Sequence, residues 1–283
     1  ATLREIWTNE VGEGEAESLW REGEVTYRAG DIYSARVILE NLRSRKLSSM
    51  LSPQQAVQME QRLGQANLEL GRYASALQVY QTLLNRQPNN ISAMIGLNRA
   101  YRGLNRNAEA IKVLQSAASA LVSQEPKPGL LLASELQQYL QNEQALQLLE
   151  TLHHNTPDDH DVTLKLAFAY YNQQQFDKAE ALYTALLATQ KEDAKMYRDY
   201  AILLANPLYI KRDLAKAEHY FLKALQRESG DVGIMERLGS LMMEQERYRH
   251  AIYVYSNLLT GVPDSAGARL ALANAYARSG DTE

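Results

Sequence analysis

Residues 63–88 read LGQANLELGRYASALQVYQTLLNRQP, and this stretch decides the fold. Leu63 and Gly64 fall on one face of a first helix, while Ala76, Tyr80 and Leu83, at relative positions 0, 4 and 7, share one face of a second. Gly71 lies between them, where a positive φ reverses the chain, and Pro88 follows a helix it could not continue. The stretch therefore predicts a helix, a tight turn and a second, antiparallel helix.

The same pattern recurs along the chain. Anchor alanines stand at Ala35, Ala76, Ala110, Ala145, Ala179, Ala217 and Ala251, with successive spacings of 41, 34, 35, 34, 38 and 34 residues. Thirteen residues before the anchor come Leu63, Leu97, Leu132, Leu166 and Leu238, each followed by a small residue except at Asn98. Four after it come Leu39, Tyr80, Leu114, Leu149, Tyr183, Phe221 and Tyr255, and seven after it Leu42, Leu83, Ala117, Leu152, Leu186, Ala224 and Leu258. Each hairpin exposes an apolar face that only a neighbouring hairpin can cover, so the units are expected to stack into a solenoid.

These residues resemble the tetratricopeptide repeat. Leu63-Gly64, Gly71-Arg72-Tyr73, Ala76, Tyr80, Leu83 and Pro88 match it, as do Leu166-Ala167, Tyr170, Phe176, Ala179 and Tyr183. The units around Ala145 and Ala35 depart from it, with Leu140 and Asn142 where a turn glycine and an aromatic are usual, and Glu22 where leucine is expected. The resemblance implies an all-α, right-handed superhelical solenoid of antiparallel helix pairs over 1–283, in segments of approximately 16–50, 54–90, 91–124, 126–158, 160–192, 194–230, 232–265 and a shortened 266–283. In the linker between Arg43 and Val57, the first helix is expected to extend and the next to restart, with Ser52 as N-cap and Pro53 at the first helical position. The segment Asn206 to Ala217 looks like a longer Sel1-type turn. Leu272, Ala273, Tyr276 and Gly280 occupy the first-helix and turn positions of a further repeat. The array is expected to continue, leaving an apolar face on that helix and self-association through it as an alternative.

Composition excludes several functions. With no cysteine among 283 residues there is no disulfide framework, thiolate nucleophile or cysteine-type metal site. The formal net charge is -4, and it is local: Glu5, Glu10, Glu13, Glu15, Glu17, Glu22 and Glu24 stand against Arg4, Arg21 and Arg28, so residues 31–283 are neutral. No nucleic-acid partner is expected from such a balance. Leu130 to Ser134 and Tyr200 to Ile210 are the longest apolar runs, too short to insert in a membrane. No basic and apolar leader follows Ala1, so a signal peptide is expected to have been removed or to lie outside the chain. Composition leaves the compartment open, with the periplasm favoured over the cytoplasm.

Chemistry has few places to reside. His154, Asp158, Asp159, His160 and Asp161 crowd one loop, but beside Pro157 they read as the polar residues of a turn rather than a metal site. His219 and His250 fall on the outer side of second helices, and Glu244 with Glu246, or Glu192 with Asp193, read as solvated charge. No nucleophile elbow or glycine-rich loop is present, so no catalytic residue, cofactor or metal is expected and the chain reads as a non-enzyme.

What remains is a binding surface for a protein or peptide partner. The resemblance implies that first helices line a concave groove, and offsets of 18, 15, 11 and 8 residues before each anchor select its surface, with four residues added before Ala217 for the insertion there, which gives Lys195, Arg198, Ile202 and Ala205. Ile95, Leu130, Leu164, Phe168 and Tyr171 would form an apolar strip there, flanked by Arg99, Arg102 and Arg198 for a partner's carboxylates. Packing of Leu164 and Phe168 against the next hairpin is the competing reading. The Lys and Asn pair of heat-shock cochaperones is replaced by Gln61 with Gln65, Ile95 with Arg99 and Leu130 with Ser134, which argues against that role. The resemblance also suggests a periplasmic spacer or docking region in a bacterial exopolysaccharide secretion system. Of the 17 tyrosines, eight fall on packing offsets (Tyr73, Tyr80, Tyr101, Tyr170, Tyr183, Tyr248, Tyr255 and Tyr276), which accounts for much of the aromatic excess, and Tyr171 is the clearest candidate left for recognition.

Overall fold

The computed structural model describes residues 3–120, 126–189, 191 and 193–280, with side chains from residue 12 onward. Within these residues the chain is all-α, with fifteen helices, one short 3₁₀ turn and no strand. It divides into two compact units, residues 1–155 and 156–283.

The first unit holds four helix pairs: α1 (Leu3–Arg28) with α2 (Ile32–Ser44), α3 (Pro53–Glu69) with α4 (Tyr73–Arg86), α5 (Ile91–Gly103) with α6 (Asn107–Ala120), and α7 (Pro126–Gln138) with α8 (Asn142–Asn155). In the second unit, α9 (His160–Asn172) pairs with α10 (Phe176–Ala188), α11 (Ala194–Ala205) with α12 (Leu214–Arg227), and α13 (Val232–Glu244) with α14 (Tyr248–Gly261); α15 (Ala266–Ser279) packs on α14. Asp or Asn side chains, which compete with helix interiors but satisfy free N–H groups at their starts, cap α2, α5, α9, α11, α12 and α13.

Two local expectations change. The first helix begins at Leu3, well before residue 16, and α1 lies against the linker: a Cβ on Gly12 would stand 2.6 Å from Met50 Sδ. The linker does not prolong α2, which ends at Ser44 before Lys46 takes a left-handed φ of 58° and Leu47–Met50 form the 3₁₀ turn. The restart is as expected: Ser52 accepts from Gln55 N, Gln55 answers Ser52 N in a capping box, and Pro53 opens α3.

The core follows the repeat. Each anchor alanine and each residue four and seven positions after it is at most 5% exposed. The small residue after Leu63 has a direct steric cause, since the Tyr80 ring lies between α3 and α5. A Cβ on Gly64 would be 2.6 Å, and one on Gly96 2.2 Å, from Tyr80 Cζ. Asn98, the exception to the small-residue rule, is fully buried and donates to Ala110 O at 3.0 Å and to the Tyr139 hydroxyl at 3.3 Å.

Turns between paired helices share one conformation. The residue five before the anchor is left-handed at Gly30, Gly71, Asn105, Leu140, Gln174 and Glu246. Only two are glycine, and Leu140, with φ 57° and 82% exposure, bears about 1–2 kcal/mol of backbone strain without compensating burial. Before α12 the turn is longer, and Tyr209 holds it by packing on Phe176 at 5.6 Å and donating to Glu180 Oε2 at 2.6 Å. On α15, Leu270 is exposed, and so is Tyr276, contrary to the packing role expected of it.

Candidate functional site

The predicted recognition residues divide four to each unit: Ile95, Arg99, Arg102 and Leu130 in the first, and Leu164, Phe168, Tyr171 and Arg198 in the second. Ile95 and Leu164 are 4% and 3% exposed, so these two aliphatic side chains serve packing and the apolar strip loses them. Leu130 is half-buried on α7.

In the first unit a hollow of about 340 Å³ opens on the first-helix surface, lined among others by Gln65, Leu68, Glu69, Tyr73, Arg99 and Arg102. Gln65, Leu68, Arg99 and Arg102 are residues that the offsets select. Both arginines already have partners within the chain. Arg99 donates from Nε to Glu135 Oε1 at 2.7 Å and from Nη2 to the same oxygen at 2.6 Å. Arg102 donates to Gln138 Oε1 and lies 3.6 Å from Glu135 Oε2. Glu135 itself is 2% exposed on α7. Sequence reasoning passed it over, although a lone acid in the otherwise uncharged run LLLASEL was the available signal.

In the second unit a hollow of about 490 Å³ is lined among others by Tyr171, Ile202, Ala205, Asn206, Glu236 and Ser240, drawn from α9, α11, α13 and the turn after α11. All but Asn206 are offset-selected positions. Tyr171 is half-buried, stacks on Phe168 with centroids 6.2 Å apart, meets Phe176 at 5.9 Å and accepts from Asn206 Nδ2 at 3.1 Å. Arg198 donates to Asp199 Oδ1 at 2.9 Å. Burial pushes the Asp199 carboxyl up against the opposing pull of Arg198, and burial, aided by the Lys195 charge, pushes the Lys165 amine down.

His160 is a second correction. It is the first residue of α9 rather than part of a solvated loop, only 9% exposed, and its Nε2 lies 2.9 Å from Asp193 Oδ2. Asp193 also caps α11 by accepting from Lys195 N at 2.8 Å, so it is not the solvated acid expected. Burial alone would raise the Asp193 carboxyl, but hydrogen bonds from His160 and from the Lys195 and Met196 amides outweigh it and hold the group below its ordinary range. Because the folded value is depressed, the stability this carboxylate contributes is present above its ordinary value of 3.8 and is lost as pH falls below it. Melting temperatures followed from neutral pH down through 3.8 are expected to fall less in Asp193→Asn than in the native chain; parallel curves would remove this role.

Among the described residues no cluster of three or more His, Asp or Glu has metal-site geometry, and no helix is long and apolar enough to cross a membrane. His219 and His250 are exposed, as read from the sequence. Glu244 is held by Arg212 Nη2 at 2.5 and 2.6 Å rather than free. Glu192 and the side chains of Arg4, Glu5 and Glu10 lie outside the described residues.

The model of the tetratricopeptide repeat family matches residues 67–129 and 139–201. No curated protein matches the sequence. Among solved structures, a tetratricopeptide repeat protein from Parabacteroides merdae is 14% identical with a TM-score of 0.63, covering 93% of this chain and 99% of its own. The C-terminal part of a repeat-containing protein from Cytophaga hutchinsonii is 17% identical with a TM-score of 0.58, covering 89% and 99%. A chain of the APC/C hetero-tetramer Cut9-Hcn1 is 17% identical with a TM-score of 0.57 over 92% of this chain, which spans 48% of that one. At these identities the likeness shows the fold, an all-α repeat of helix pairs.

Proposed function

We propose that this tetratricopeptide repeat protein is a non-catalytic scaffold that holds a segment of a protein partner along the first-helix surfaces of its repeats. One observation carries the reading: in each unit, positions selected by the packing register, corrected for the insertion before Ala217, meet at a hollow, Gln65 with Arg99 and Arg102 in the first, Tyr171 with Ile202 and Ser240 in the second. Hollows of about 340 and 490 Å³ fall within the range of ligand-binding clefts. The similar chain in the Cut9-Hcn1 hetero-tetramer is likewise part of a protein assembly. Recognition along such a surface uses hydrogen-bonding side chains for the segment's backbone and apolar patches for its anchors.

A photoreactive amino acid placed at Gln65 or at Ser240 is expected to capture a discrete partner protein, while the same group at Leu222, exposed on second helix α12, captures none. Equal capture from all three positions, or none from the hollows, would reject the assignment.

The same scaffold would also suit a periplasmic docking region of an exopolysaccharide secretion system, with Asn206 to Ala217 as its Sel1-like turn. The absence of cysteine, which removes any need for thiol protection in an oxidising compartment, favours that setting. A leader and a C-terminal barrel in the full reading frame would support it, and a DNA-binding or catalytic domain would sink it.

A further inference from the structure

Two arginines enter the hollow of the first unit, yet its charge is balanced from within. Arg99 and Arg102, each with 42% side-chain exposure, share the buried Glu135. Across the hollow, Glu69 accepts from the Tyr27 hydroxyl and from Gln65 Nε2 at 3.2 Å. Two cations thus face two carboxylates. A partner's carboxylate arriving at Arg99 and Arg102 would meet two attractions offset by repulsion from Glu135 and Glu69, so charge gives it no net gain to set against its desolvation, a cost that an uncharged group does not carry. Amides are plentiful for it, with Gln65 on the rim and Gln138 beside Arg102.

We propose that Glu135 is a specificity-determining residue: by neutralising Arg99 and Arg102 it closes this hollow to acidic segments and reserves it for an uncharged, hydrogen-bonding stretch of a partner polypeptide. The inference rests on the proposed function for what the hollow receives. Glu135 acts as a positioning residue, through the two guanidinium groups, and has no need to touch the partner. The charge-pairing role expected of these arginines from sequence is thereby reversed.

The test uses the full chain and fluorescein-labelled hexaglutamate, read by fluorescence anisotropy at low ionic strength. Glu135→Gln removes the charge with little change of shape, and its association with hexaglutamate is expected to exceed that of the native chain about five- to tenfold, the gain vanishing with added salt. Adding Arg99→Gln and Arg102→Gln to that variant is expected to return binding to the native level, an outcome that mere loosening of the fold would not produce. Should Glu135→Gln fail to give a cooperative melt, Arg99→Gln with Arg102→Gln, which leaves the Glu135 charge uncompensated, is expected to raise association with labelled hexalysine about five- to tenfold at low salt, and no rise in that folded variant would overturn the proposal. Native binding of hexaglutamate that Arg99→Gln abolishes would overturn the proposal, as would no gain in a folded variant. An acidic partner captured at Gln65 would uphold the scaffold and overturn this role for Glu135; a charge-dependent gain without any captured partner would do the reverse.

Discussion

Replacing Tyr183 by alanine is expected to cost about 3–5 kcal/mol, whereas Tyr183→Phe leaves stability unchanged or raises it by up to about 1 kcal/mol. The side chain is 0% exposed, four residues after its anchor, and stacks on Tyr200 with centroids 5.5 Å apart. Alanine would leave a ring-sized cavity in a close-packed unit. The hydroxyl contributes differently, since it has no hydrogen-bond partner among the described residues, and phenylalanine would relieve a buried, unsatisfied group. Urea denaturation of the two variants separates the effects. A loss above about 1 kcal/mol in Tyr183→Phe would mean that the hydroxyl is bonded after all, and a small loss in Tyr183→Ala would mean that the register is wrong.

The second large effect belongs to Gly96. Any side chain there meets the Tyr80 ring, to whose Cζ a Cβ would stand at 2.2 Å, and Gly64 on α3 bounds the ring on its other side. Gly96→Leu is therefore expected to destabilise by about 2–3 kcal/mol through overpacking. In a Tyr80→Ala background the vacated space receives the leucine, so the two changes should couple by at least about 1 kcal/mol in a double-mutant cycle. Additive costs would show that the two residues do not share this space.

The candidate surface was only half legible. Gln65, Arg99, Arg102, Tyr171, Ile202 and Ser240 all follow from counting back from the anchors, and all line hollows. Ile95 and Leu164 follow from the same count and are buried, because one residue of rotation about a helix axis separates a face turned to solvent from one turned to the neighbour. Neither Glu135 nor the link from His160 to Asp193 could be reached by counting within a repeat. Each joins residues 36 or 33 positions apart on different hairpins, and such pairs are set by how hairpins dock.

By itself the sequence determined the helix pairs, the register of their cores and the location of the charge. Those properties are local or strictly periodic: an anchor alanine with bulky residues four and seven positions on fixes which helical face is buried, wherever the helix stands in space. Only the tertiary structure decided which polar groups are spent internally. Whether Arg99 offers its charge to a partner depends on a carboxylate one repeat away, buried at a distance of 2.7 Å, and Coulomb interactions at that range depend on three-dimensional placement that periodicity leaves open.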